Sequence, residues 1–156
     1  MNQRPVRRTR KGDFEIRLSD QERLLISDLV AQLTAVIDQE AAPENPLLRR
    51  LFPTAHPDNP DLESSYKEMV EGDLLDLRKE KLLLVTSTLD QKSLDEAALL
   101  AWMGVVNDLR LVIGTYLDVS EDDNQDTYGP GNPEADTYAI YQYLSYLLDS
   151  IIDALT

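Results

Sequence analysis

Three groups of side chains in this sequence have the types and spacing to do chemistry. The first is split between two segments. "NPLLRRLFPTAHPD" supplies Arg49, Arg50 and the only histidine, His56, while "VVNDLR" supplies Asn107, Asp108 and Arg110. A guanidinium holds a carboxylate or phosphate through parallel N–H donors, so Arg49, Arg50, His56 and Arg110 drawn together would grip a small anion. The structural reading outweighs it: a buried arginine is normally paired inside its own protein, and Asn107 and Asp108 are at hand. Asp108 and Arg110 stand two apart and cannot face each other on one helix, so their partners are expected from other segments. His56, beside Pro57 and without a nucleophile pattern near it, reads as a turn or packing residue.

The second group is acidic. Residues 118–136, "DVSEDDNQDTYGPGNPEAD", hold seven acids and no base. Asp122, Asn124 and Asp126 reproduce the first three oxygen-donor positions of an EF-hand loop. The pattern then breaks, because Thr127 stands where the sharp turn needs glycine and Pro133 occupies the twelfth position. A solvated loop is expected in preference to a specific calcium site, with weak cation binding at Asp122, Asn124 and Asp126 as the alternative. The third group is basic: Arg4, Arg7, Arg8, Arg10 and Lys11, with no acid in residues 1–12 of a chain whose net charge is −14. The remaining body repels phosphate backbones and membrane surfaces, so nucleic acid would be met only through this arm. A disordered, solvated tail over 1–12 is the simpler reading.

Other signatures of catalysis are missing. There are no cysteines, which closes thiolate catalysis, disulfides and redox functions through cysteine. Phosphate-binding glycine loops, the nucleophile elbow and the metalloprotease motif are absent too. No cofactor and no enzyme activity is expected. Tyr138, Tyr141, Tyr143 and Tyr146 at helical spacing read as core and interface rather than as a stacking platform for bases.

The elements that must position these groups are helices. Ser19 and Glu22 have capping-box spacing, and the helix they open runs to about Gln39 with Ile26, Val30, Leu33 and Ile37 along one face. Before it, Phe14, Ile16 and Leu18 alternate with Glu15 and Arg17 as a short strand, for which only Thr115–Val119 offers a partner in the chain. A second helix spans about 62–89. Ser93 and Glu96 repeat the capping-box spacing and open a third, running to Leu117, whose only charges over 97–117 are Asp108 and Arg110. Four residues separate these two helices, which makes them an antiparallel hairpin. A fourth covers about 137–155. Asn45 and Pro46 open a short turn in a proline-rich crossover that Pro53 ends. The expectation is a mainly α, four-helix bundle-like single domain over 13–156 with a short N-terminal strand and a Pro-rich crossover loop. No uninterrupted run reaches the roughly 20 apolar residues that cross a bilayer, so a cytoplasmic protein is expected.

"FEIRLSDQERLLISDLVAQL", "NPLLRRLFPTAHPD", "WMGVVNDLRLVIGTYLDV" and "YAIYQYLSYLLDSI", in this order, resemble a small actinobacterial family of helical proteins without an assigned activity. The resemblance covers nearly the whole chain. It implies a helical fold, a gene setting beside the proteolytic adaptor ClpS and, for some members, a label as transcriptional regulators; it carries no catalytic or binding residues. Together these readings describe an intracellular, non-enzymatic protein that binds a protein partner in a regulated-proteolysis setting. The alternatives are a DNA-associated regulator using the basic arm and an anion-binding or enzymatic bundle. A homodimer through the last helix or the N-terminal strand is also expected, since a lone strand must find its hydrogen bonds somewhere.

Overall fold

The capping box forms as its spacing predicts. In the computed structural model, which describes residues 4–38, 46, 59–62, 72–117 and 131–156, helix α1 spans Asp20–Ile37 with Ser19 as its N-cap. The Ser19 hydroxyl accepts from the Glu22 backbone N–H at 3.1 Å, and Glu22 Oε1 accepts from the Ser19 N–H at 3.1 Å. These bonds satisfy backbone donors that a helix start leaves without partners. The stripe Ile26, Val30, Leu33 and Ile37 is buried.

Strand β1 (Val6–Arg8) precedes β2 (Phe14–Ile16), and β2 lies between β1 and a two-residue β3 (Ser93–Leu94), all antiparallel. Val6 faces Ile16, Arg8 faces Phe14, and Phe14 also faces Leu94. The strand expected around Phe14 therefore pairs on both sides within its own chain. Two expectations are corrected. Residues 6–8 are not a solvated tail: Val6 is buried, and Gly12, at φ 92°, supplies the left-handed turn that folds them back on β2. The segment suggested as the partner strand, in its described part 115–117, is helical.

Helices α2 (Gly72–Thr88) and α3 (Glu96–Leu117) form the expected antiparallel hairpin. Their closed end is held by Trp102, whose buried indole N–H donates to Thr88 Oγ1 at 2.7 Å. The cap of α3 is Asp95, whose Oδ1 accepts from the Ala98 N–H at 2.8 Å, rather than Ser93. Ser93 is drawn into the sheet opposite Glu15 and does not sit at the helix start. Helix α3 packs against α1, α2 and α4 and contributes Leu99, Trp102, Val105, Val106 and Leu109 to the core. Among the described residues it alone has the length and mean hydropathy to cross a bilayer, and a little under half of that stretch is buried against its neighbours. Helix α4 (Ala135–Leu155) buries Leu144, Leu147 and Ile151. Of the proline-rich crossover only residue 46, in a 3-10 turn, and residues 59–61 are described. The fold is mainly helical, with the small sheet at the end where α1 and α3 begin and α2 and α4 finish.

Two adjacent residues in the first turn of α1 tie that end together. Glu22 Oε2 accepts from the Tyr143 hydroxyl of α4 at 2.7 Å. Arg23 donates to the carbonyls of Leu89, Gln91 (3.0 Å) and Ile16 (3.4 Å), joining the end of α2, the loop after it and β2. Opposite them the buried Ser150 hydroxyl of α4 accepts from the Val6 N–H at 3.2 Å and donates to the Val6 carbonyl at 3.4 Å, docking β1.

Partial burial acts to raise the Glu22 carboxyl, but the Ser19 backbone N–H, the Tyr143 hydroxyl, the Ser19 side chain and Arg23 together hold it below its usual value of 4.5. Burial first, then the Glu22 carboxylate, pushes the Tyr143 hydroxyl up. A carboxyl depressed in the folded state contributes stability that is present above its unfolded value and lost as pH falls through its folded value. Glu22→Gln is therefore expected to lower stability at neutral pH by about 1–2 kcal/mol, the size of lost charge-assisted hydrogen bonds. The variant should also lose less stability than the wild type on acidification below pH 4.5; urea denaturation across pH checks both outcomes.

Candidate functional site

Arg49, Arg50 and His56, and likewise Asp122, Asn124 and Asp126, lie outside the described residues. The α3 members of the first group are described, and they diverge. Asp108 turns to α2, where its Oδ2 lies 3.4 Å from Arg78 Nε with both side chains largely buried. Burial pushes the Asp108 carboxyl above its usual value, against the pull of Arg78 and Lys81. Lys81 reaches this position across Gly104, where even a methyl group would stand 3.2 Å from its Cδ. Arg110 turns instead toward α4. Its Nη2 donates to Asn107 Oδ1 at 3.3 Å, and its guanidinium lies 6.0 Å from the centre of the Tyr141 ring, which stacks on Tyr138.

Asp108 thus finds its partner on another helix, whereas Arg110 finds one three residues back on its own. Arg78 is a partner that the sequence alone does not single out. Its helical position facing "NDLR" becomes visible only when α2 and α3 are set antiparallel. For Asp108 the outward push of desolvation exceeds the attraction of the two cations, so losing its charge and losing its partner have different consequences. Asp108→Asn is expected to change stability by less than about 1 kcal/mol, while Arg78→Met, which leaves the buried carboxylate without its guanidinium, costs about 3 kcal/mol. Chemical denaturation of both variants at neutral pH is the check.

The basic residues of the N-terminal segment make the more open site. Arg7 Nη2 lies 2.9 Å from Glu15 Oε2, and Arg17 Nε lies 2.9 Å from Glu15 Oε1. Arg17 first and Arg7 second hold the Glu15 carboxyl below its usual value. Arg8 lies over Phe14 at 5.2 Å and donates to the carbonyls of Ala154 and Leu155, each at 3.3 Å. It meets acceptors that the last turn of α4 leaves open, at the negative end of the helix dipole. Arg4 Nη1 is 3.5 Å from Asp153 Oδ2. Between the hairpin and the end of α4 lies a cleft of about 680 Å³, lined by Arg4, Arg7, Arg8 and Arg17 together with Asp153 and Thr156. Arg10 and Lys11 stand exposed at the hairpin turn.

Five cations expected along a loose arm are thus carried on a folded hairpin, with three of them engaged within the chain. The signal that could have revealed this is Val6 and Gly12, one apolar residue among cations and one turn residue at a hairpin distance from Phe14. Chemically the cleft suits a carboxylate or other anionic group, with Arg4 and Arg7 more than half exposed and able to turn to it. Among the described residues no three metal-ligating side chains converge.

Fold and site together define a small, mainly helical protein with a basic cleft at one end of an acidic body. The chain belongs to the family described as "Domain of unknown function (DUF2017)", whose profile matches residues 3–155. It is also similar to the "Putative oxidative stress regulator AosR" of Mycobacterium leprae (strain TN), at 28% identity over 130 residues, 72% of this chain and 59% of the relative. The chain thus spans about three fifths of that relative's length. No solved structure matches it.

Proposed function

We propose that this chain is a non-enzymatic regulatory protein that acts by binding a protein partner through the cleft lined by Arg4, Arg7, Arg8 and Arg17. The observation that carries the reading is the contrast between two kinds of polar group. Glu22, Arg23, Ser150, Thr88 and Arg78 hold elements to one another, whereas Arg4 and Arg7 keep most of their surface in solvent beside an open cleft. A partner presenting carboxylates on a segment or surface patch fits that cleft, and the charge contrast with the acidic body favours one orientation of approach. The relative's name supports a regulatory role. Its link to oxidative stress would reach this chain through a partner, because these 156 residues include no cysteine to serve as a thiol sensor. A cytoplasmic setting near regulated proteolysis, implied by the family resemblance, completes the proposal.

The competing reading is a DNA-binding arm. Exposed Arg10 and Lys11 favour it, while the engagement of Arg4, Arg7 and Arg8 with Asp153, Glu15 and the end of α4 weighs against it. The variant carrying Arg4→Ala and Arg7→Ala separates the two, since exposed ion pairs contribute only about 0–1 kcal/mol and the fold should survive their loss. Capture from lysate by the wild-type chain, lost in the double variant, with no retention of either on duplex DNA at moderate salt, is the expected result. Retention on DNA that falls steeply with salt and depends on these arginines would replace the protein partner with DNA.

A further inference from the structure

The cleft has a complement within the chain. Residues 118–130 carry Asp118, Glu121, Asp122, Asp123 and Asp126 and no base. That segment leaves the end of α3 at Leu117 and re-enters the described fold at Gly131. There Asn132 anchors the start of α4, accepting from the Ala135 N–H at 3.1 Å and the Glu134 N–H at 2.8 Å. Leu117 packs beside Tyr138, so both anchors sit at the beginning of α4. The arginine-lined cleft sits at its other end, against Asp153 and Ala154. With 1.5 Å of rise per residue, α4 separates the two ends by about 30 Å. Reaching the cleft of its own chain and returning would take about 60 Å of path, whereas thirteen residues fully extended span at most about 47 Å.

We propose that the cleft of each copy is occupied by the acidic segment, residues 118–130, of a second copy of this chain, in a closed antiparallel pair. The proposal rests on the reading of the cleft as a protein-binding site and names its occupant. Turning one copy end for end places its acidic segment over the other's arginines, and a two-fold axis across α4 makes both contacts at once. Tyr146, 50% exposed, stands one residue past the midpoint of α4, where such an axis would bring the helix against its own image. Self-association then competes with an acidic partner for the same four arginines.

Light scattering on the full chain at low and high salt tests this. The expected result is twice the 17.7 kDa chain mass at low salt and the single mass at high salt, where charge contacts are screened. Combining Glu121→Gln, Asp122→Asn and Asp123→Asn should give the single mass at low salt with an unchanged melting temperature. A wild-type chain that stays single at low salt, a pair that persists at high salt, or a neutralised variant that still pairs would each overturn the proposal. A second measurement protects against an arginine variant that fails to fold. A chain carrying Arg4→Glu and Arg7→Glu, and one carrying Glu121→Lys, Asp122→Lys and Asp123→Lys, should each stay single alone, because like charges then meet at both contacts, whereas the two mixed should pair with each other and a chain carrying all five changes should pair with itself. Failure of that compensated chain, folded by its melting curve, to pair counts against the inference. Arginine-dependent capture of another protein by a single-mass chain would leave the cleft reading standing and end only this inference.

Discussion

The first turn of α1 is the constraint on which the described fold depends. Glu22 closes the helix cap with one oxygen and holds α4 through Tyr143 with the other, while its neighbour Arg23 gathers the end of α2, the following loop and β2. Neighbouring residues on a helix point about 100° apart, so this one turn reaches in two directions at once. None of these groups is deep in the apolar core. Their effect is geometric: α3 supplies the largest share of the buried core, and the polar turn fixes how the ends of the helices meet around it. Charge-assisted bonds suit this role because they are directional and stronger than bonds between neutral groups.

Charge is distributed by a related logic. The chain is strongly acidic, yet its arginines concentrate where backbone carbonyls or carboxylates already need them. Arg8 meets the end of α4, Arg23 the end of α2, and Arg78 the buried Asp108. Helix ends carry partial negative charge, and the sheet end of the molecule gathers the ends of two helices, so cations are favoured there before any partner is considered. The cleft is the part of this cationic end left facing solvent. The open cleft thus arises from the same chemistry that closes the fold.

The helices were legible in the sequence because their signals are local and redundant. Ser19 with Glu22 marks a start, and Ile26, Val30, Leu33 and Ile37 mark a face, within a few turns of each other. The sheet was less legible: β1 and β3 are three and two residues long, too short for alternation to register, and Ser93 carries a helix-cap signal that sheet pairing overrides. For the candidate site, the residue types were visible while their pairing was not. Asp108 and Arg78 lie on different helices and become partners only through the antiparallel packing of α2 and α3. Arg4, Arg7 and Arg8 read as a free arm because the groups that hold Arg4 and Arg8, at Asp153 to Leu155, lie at the far end of the chain. Long-range polar pairing leaves no periodic trace.

The bond between Val6 and Ser150 joins residues 144 apart in sequence. Closing so long a separation is among the slower events available to a folding chain, because the entropy of the intervening residues must be surrendered before the contact returns anything. The ribosome makes the first strand early and the last helix late, so throughout synthesis Val6 and the β1 edge wait without their acceptor and donor. The helical hairpin of α2 and α3, built from neighbours, can assemble in that interval. Docking of β1 on α4 then becomes the closing step, and the basic cleft, whose two walls are these segments, exists only after it.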